Sequence, residues 1–273
     1  MILFCSIPVH TPPSTSLTDA DSSDWQAKAY AVREEARSSW QAYALHSPGL
    51  DTLKPRSRSG DNNFGGMAIS AIDGLDTLYL MGLTSEYQSA RSLALGVNFS
   101  QVGNVNLFET TIRALGGLLS SHALSRDPAL LAKAKELGDR LVPAFKTPCG
   151  RPSGCLPSSD INLKTGRTSA LLGQMSLAEV SSLSLEFQTL ALATRQPKFQ
   201  QLVGNVRRTL MATVEKEGRA LLPLFLNSRG EPSQGVITLG ARGECAIRKR
   251  ACHALQCPQL SPKPHSRVMC VTN

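Results

Sequence analysis

Segments that are apolar on nearly every side alternate along this chain with segments apolar on one side only, and that alternation limits the folds open to it. Residues 67–82 (MAISAIDGLDTLYLMG) have hardly a polar face, with Asp73 and Asp76 set among apolar neighbours, whereas Glu86 to Val97 is amphipathic. Residues 107–124 are again strongly apolar, and Asp127-Pro128 supplies an N-cap and a first-turn proline for an amphipathic helix ending near Val142. A third pair comes after a long Pro/Gly/Ser loop: an apolar helix over 177–194, a TRQP turn, then Phe199, Val203, Val206, Leu210 and Val214 on an outer helix that Gly218 terminates. A helix apolar all round needs neighbours on all sides, while an amphipathic one covers a layer beneath it. Repeated hairpins of this kind predict an all-α fold with two concentric layers, or a stacked solenoid. Three or four hairpins are few for a ring, so the chain is expected to stop before such a fold closes.

Ahead of these pairs, Trp25, Ala29, Val32, Ala36, Trp40 and Tyr43 recur every three or four positions from Asp24, as on one face of an amphipathic helix. Short apolar runs at 220–226 and 235–239 read as extended and predict a small β-hairpin near the C-terminal end.

Composition narrows the function classes. With 273 residues, 41% hydrophobic and 18% charged, the chain can bury a sizeable core. The net charge of +8 is no nucleic-acid footprint, because residues 243–273 hold Arg248, Lys249, Arg250, Lys263 and Arg267 against Glu244 alone, leaving the body mildly basic. Four of the seven cysteines also lie in that tail (Cys245, Cys252, Cys257, Cys270), at spacings that do not match a structural zinc site. Cys149 and Cys155 sit in a Pro/Gly loop, where a small disulfide and free thiols are equally compatible with the sequence. The opening MILFCSIPV is far shorter than the roughly twenty apolar residues of a membrane span and lacks the basic start of a signal peptide. One N-glycosylation tripeptide is present, Asn98-Phe99-Ser100.

Five stretches carry a resemblance. I-D-x-L-D-T-L-Y-L-M-G-L (Ile72 to Leu83), N-L-F-E-T-T-I-R-A-L-G-G-L-L-S (Asn106 to Ser120), R-L-V-P-A-F-x-T-P (Arg140 to Pro148), A-E-V-x-S-L-x-L-E-F (Ala178 to Phe187) and T-L-G-A-R (Thr238 to Arg242) resemble the α-1,2-mannosidases of glycoside hydrolase family 47, in the family's order. The wording is nearer the endoplasmic-reticulum and Golgi processing enzymes than their degradation-enhancing relatives. The resemblance implies an incomplete (α/α)7 barrel, inverting hydrolysis of α-1,2-linked mannose on high-mannose N-glycans, a calcium cofactor and a place in the secretory pathway. Inversion needs one carboxyl group to protonate the leaving oxygen and another to activate water. Glu109 matches the family's proposed acid. Arg113, four residues on, lies beside it on a helix; Glu179 and Arg242 match residues lining the family's sugar pocket.

Each has a plainer reading. Glu and Arg four apart on a helix are commonly a stabilising pair, and Glu179 ends a Ser176-x-x-Glu179 capping-box pattern. Asp73 and Asp76 are read as satisfying backbone or loop donors and stay outside the site.

Beyond Arg242 the family pattern fails. The family's Asp is replaced by Glu244, and its aromatic-rich helix, downstream catalytic Glu and calcium-binding Thr have no counterpart. No metal ligand is recognisable. Residues 1–23 are expected to be disordered, 24–242 to be a partial catalytic domain and 243–273 an unrelated, disordered tail. Gly243-Glu244-Cys245 can be encoded with GTGAGT, an intron start, so the tail is expected to be translated intron. The chain alone is expected to be inactive and poorly soluble, with 67–82 and 107–120 exposing apolar faces. A non-catalytic glycan-binding module and a helical scaffold for protein partners are the alternatives.

Overall fold

The structure is a computed structural model describing residues 19–146, 156–168, 175–218, 221–233 and 235–238. Helix α1 (Asp19–His46) is followed by a hairpin of β1 (Thr52–Lys54) and β2 (Ser59–Asp61). The first inner segment is α2 (Ile69–Asp73) and α3 (Leu75–Leu80), covered by α4 (Thr84–Gly96). After β3 (Asn104–Asn106) comes the second: a single turn α5 (Leu107–Glu109), a π-helical stretch Thr110–Leu115, and α6 (Gly116–Ser125), covered by α7 (Pro128–Leu141). The third, after β4 (Asp160–Asn162) and β5 (Met175–Ser176), is α8 (Leu177–Ser182) and α9 (Ser184–Thr194), covered by α10 (Pro197–Glu217), with β6 (Phe225–Leu226) behind it. α3 packs on α6 and α6 on α9, while α4 packs on α7, so inner and outer layers both run through the chain. This is the predicted two-layer helical fold, an incomplete α/α barrel.

Local chemistry explains the elements that periodicity anticipated. The Asp127 carboxylate accepts from the Ala129 N–H at 2.9 Å ahead of Pro128. α10 ends on Gly218 at φ 63°, as a left-handed cap requires. Three expectations shift. The segments 67–82 and 177–194 are each broken once, at Gly74 and Leu183. α1 begins at Asp19, inside the segment expected to be disordered, and of its anticipated face only Trp40 and Tyr43 are buried; Trp25 is 61% and Val32 58% exposed. The hairpin near the C-terminal end forms with a third partner: β6 pairs with β5, and the returning chain adds a Leu226–Pro232 bridge with bonds from the Asn227 N–H to the Glu231 carbonyl, the Ser233 N–H to the Phe225 carbonyl and the Leu224 N–H to the Val236 carbonyl, each at 3.0 Å.

Of the two inner segments expected to expose apolar faces, 67–82 does so at Tyr79 and Leu80, and 107–120 keeps its leucines covered. In the second inner segment Leu115, Leu118 and Leu119 are buried. Tyr79 and Leu80 on α3, and Leu185 and Leu192 on α9, are exposed, Leu192 to 80%.

Two contacts fix how the first inner segment sits. Asp51 is fully buried, and its carboxylate accepts backbone N–H bonds from Phe64, Gly66, Met67 and Ile69 at 2.7–3.2 Å. Its backbone carbonyl takes the N–H and hydroxyl of Ser70, and its own N–H reaches Asn62 Oδ1. At Gly117, an added Cβ would meet the Ile72 carbonyl oxygen at 2.6 Å, so only glycine lets α6 approach α2 this closely. Asp51→Ala strands those buried donors and is expected to cost on the order of 3 kcal/mol or more, read as a lower urea midpoint with faster hydrogen exchange at Gly66 and Met67. Gly117→Ala forces the two helices apart and is expected to cost about 1–3 kcal/mol, by the same denaturation measurement.

Candidate functional site

The short turn that carries Glu109 starts on Asn106, whose side-chain oxygen accepts from the Glu109 N–H at 2.9 Å. The chain then continues into the π-helical stretch, a geometry that recurs at functional sites because it re-aims side chains. Across it, Arg113 Nε donates to Glu109 Oε2 at 2.7 Å, so the predicted pair exists. Arg113 Nη1 also reaches Asp73 Oδ2 at 3.5 Å, and its guanidinium lies 5.5 Å from the Phe64 ring centre. One arginine thus joins two inner segments and the loop held by Asp51.

Glu109 lines a cavity of about 320 Å³ together with Asn63, Phe64, Asn104, Asn106 and Asp160. Pairing of β3 with β4 sets Asn106 opposite Asp160, and the Asn106 amide donates to Asp160 Oδ1 at 3.5 Å. Three amides, two carboxylates and one aromatic ring around a space of that size suit a ligand dense in hydroxyls, because each hydroxyl both donates and accepts. Sequence reasoning missed Asn63, Asn104 and Asp160; they come from loops and strand ends whose meeting depends on the tertiary fold.

Glu179 makes both bonds of the capping box: its N–H donates to Ser176 Oγ at 3.2 Å, and its Oε2 accepts from the Ser176 N–H at 3.1 Å. Its helix, α8, packs against α5, but the Glu179 carboxylate serves the helix start and does not line the cavity. Asp76 accepts from the Ser120 hydroxyl at 2.6 Å, tying α3 to α6. Asp73, set aside in the sequence, instead joins Glu109 and Arg113. Arg242, Glu244, Cys149 and Cys155 lie outside the described residues.

The charges in this cluster do not balance evenly. Asp73 is held above its ordinary value, first by partial desolvation, which the Arg113 charge opposes and the neighbouring Asp76 and Glu109 reinforce. Arg113 is pushed higher still, chiefly by its hydrogen bond to Glu109. A carboxyl with a raised folded value binds its proton more tightly folded than unfolded, so the stability it gives is present at low pH and lost as pH rises through that value.

The sequence profile of glycosyl hydrolase family 47 matches residues 35–246. A mannosyl-oligosaccharide 1,2-alpha-mannosidase of Arabidopsis thaliana is 38% identical over 244 residues, covering 86% of this chain and 42% of that protein. The human endoplasmic reticulum mannosyl-oligosaccharide 1,2-alpha-mannosidase is 40% identical over 210 residues, covering 75% of this chain and 29% of the relative. The chain thus spans less than half the length of either. Among solved structures, an alpha-1,2-mannosidase from Trichoderma reesei superposes with TM-score 0.76 at 28% identity, over 85% of this chain and 51% of that one. A cellobiose 2-epimerase from Spirochaeta thermophila, at TM-score 0.51 and 15% identity, shares the fold alone.

As pH rises from about 4, the ordinary aspartate value, the protein is expected to lose thermal stability relative to Asp73→Asn, which has no proton to release. Melting temperatures of the two proteins across that range check the sign, and parallel curves would refute it.

Proposed function

The chain belongs to glycosyl hydrolase family 47, and from that we propose that it carries the acid-bearing part of an inverting α-1,2-mannosidase that trims high-mannose N-glycans in the endoplasmic reticulum or Golgi. The observation that carries this reading is Glu109 on the wall of a sugar-sized cavity of mixed lining, amides and carboxylates beside Phe64 and Val105, with Arg113 locked beside it. Arg113 donates to Oε2 and has no lone pair to accept with, so a proton on neutral Glu109 belongs on Oε1. That leaves one defined oxygen to deliver it to a departing glycosidic oxygen, as general acid catalysis requires. Asn106, Asn104, Asn63 and Asp160 are proposed to hold sugar hydroxyls, and Phe64 to offer an apolar face.

Glu179 and Arg242 remain proposed sugar-pocket residues on the resemblance, with Glu179 free for that role only if its capping bonds open. The matched span 35–246 takes in most of 24–242, which we read as part of a catalytic domain, and runs four residues into 243–273, proposed as a separate tail. Among the described residues no helix is long and apolar enough to cross a membrane.

Calcium, the family's cofactor by resemblance, does not fit the acids gathered here. The Arg113 cation bridges Glu109 and Asp73, and among the described residues no three His, Cys, Asp or Glu side chains come together in a way that could hold a metal ion. A calcium ion takes six to eight oxygen ligands, which this arginine-bridged pair of acids does not offer.

A transcript sequenced across the Arg242 codon is expected to continue into an Asp and an aromatic-rich segment. The product of that longer reading frame should release mannose from an α-1,2-linked mannobiose, and Glu109→Gln should lower its kcat roughly a hundredfold or more. The 273-residue chain should release none. Full activity in Glu109→Gln would overturn the assignment of the acid.

A further inference from the structure

From the turn that follows α4, we infer that Asn98 is an N-glycan acceptor, a covalent modification site separate from the sugar cavity. Asn98-Phe99-Ser100 is the chain's single Asn-x-Ser/Thr tripeptide, and such tripeptides are common by chance. What sets this one apart is its conformation.

α4 ends at Gly96 and the backbone turns extended at Val97, with ψ 125°. Val97 and Phe99 are both buried, Phe99 completely, with Lys133 Nζ 5.0 Å from its ring centre. In extended backbone successive side chains point to opposite sides, so anchoring the two neighbours inward turns Asn98 outward, and it is exposed. The turn closes with a bond from the Gln101 N–H to the Asn98 carbonyl at 3.0 Å. Its far end is pinned to the β4 region, where Lys164 and Leu163 donate to the Val102 and Gly103 carbonyls at 2.9 and 3.0 Å. The acceptor stands on a surface turn fixed at both ends.

Within it, the Asn98 side-chain oxygen accepts from both the Ser100 N–H, at 3.0 Å, and the Ser100 hydroxyl, at 2.7 Å. This is an Asx-turn. It selects the hydroxyl residue two positions on and commits Oδ1, while Nδ2, the atom to be modified, is not part of the ring. Donation to Oδ1 also makes the amide proton more acidic and so easier to remove. The reaction needs an oligosaccharide carried on a lipid diphosphate, and its transferase. Nδ2 attacks C1 of the sugar, the N–C1 bond forms, the C1–O bond to the diphosphate breaks, and the lipid diphosphate leaves with that electron pair. The amide proton passes to a base of the transferase. The product is a glycan projecting from the outer layer at the end of α4.

The inference rests on the secretory placement proposed above only for where the reaction happens, and the experiment supplies that compartment. The 273-residue chain is translated behind a cleavable signal peptide with endoplasmic-reticulum microsomes, and protease-protected product is treated with peptide-N-glycosidase in ¹⁸O-water. The expected result is one glycosidase-sensitive mobility shift, with the ¹⁸O label at position 98 by mass spectrometry. Asn98→Gln and Ser100→Ala should each abolish the shift, the second without touching the acceptor, and Ser100→Thr should keep it. Translocated chains with position 98 unlabelled overturn the inference, as does a shift that survives Ser100→Ala. Either result leaves the hydrolase reading intact, and absence of mannosidase activity leaves the label at Asn98 unaffected.

Discussion

A single buried carboxylate organises the approach to the candidate site. Asp51 gathers four backbone N–H groups of the loop Phe64–Ile69, and through them sets both the ring of Phe64 and the start of α2. Without those bonds the donors would be buried and unpaired, which is more costly than a hydrogen bond is favourable. Satisfying them is enough to hold Ala68 in the left-handed region at φ 53°, a conformation that costs a non-glycine residue roughly 1–2 kcal/mol. The consequence for the site is geometric: α2 leaves the loop in a fixed direction, Asp73 ends it, and Gly117 lets α6 come close enough for Arg113 to reach that carboxylate.

None of this was legible in the sequence around Leu50-Asp51-Thr52, where an aspartate before a turn reads as a solvated side chain. Its partners are 13 to 18 residues downstream, beyond any local pattern. Short-range chemistry was legible. The Asp127-Pro128 start, the Gly218 stop and the Glu109–Arg113 pair each depend on residues within about one helical turn, and each forms. Asp73, for the opposite reason, lies where the sequence did not put it. A helix drawn unbroken over 67–82 makes it one of two buried acids, whereas the break at Gly74 leaves Asp73 exposed on the side facing Arg113 and Asp76 half-buried against Ser120. The π-helical stretch has no sequence signature in 3.6-residue spacing, since it changes the spacing itself.

Glu179 shows how one residue can carry two readings in the sequence while the structure shows one of them, the capping bonds. The four-residue pattern that begins α8 overlaps at Ala178 and Glu179 with the stretch that carries the family resemblance, and the carboxylate is found on its own helix end. A capping bond at a partly exposed helix start is worth about 1 kcal/mol, little enough for a bound sugar hydroxyl to replace. Such a carboxylate can be exchanged between the helix start and a ligand, whereas one buried like Asp51 could not be borrowed without unmaking the loop.

Arginine at position 113 can do what lysine there could not. Glu109 and Asp73 come from different inner segments and approach from different directions, one at Nε and one at Nη1. A planar guanidinium offers donors along both edges while its central carbon lies over the Phe64 ring. An ammonium concentrates its charge at one point, and meeting both acids would draw them together, adding their mutual repulsion to the partial desolvation that already raises Asp73. On two donors of one plane, Nε for Glu109 Oε2 and Nη1 for Asp73 Oδ2, the two carboxylates share a single cation without sharing a donor.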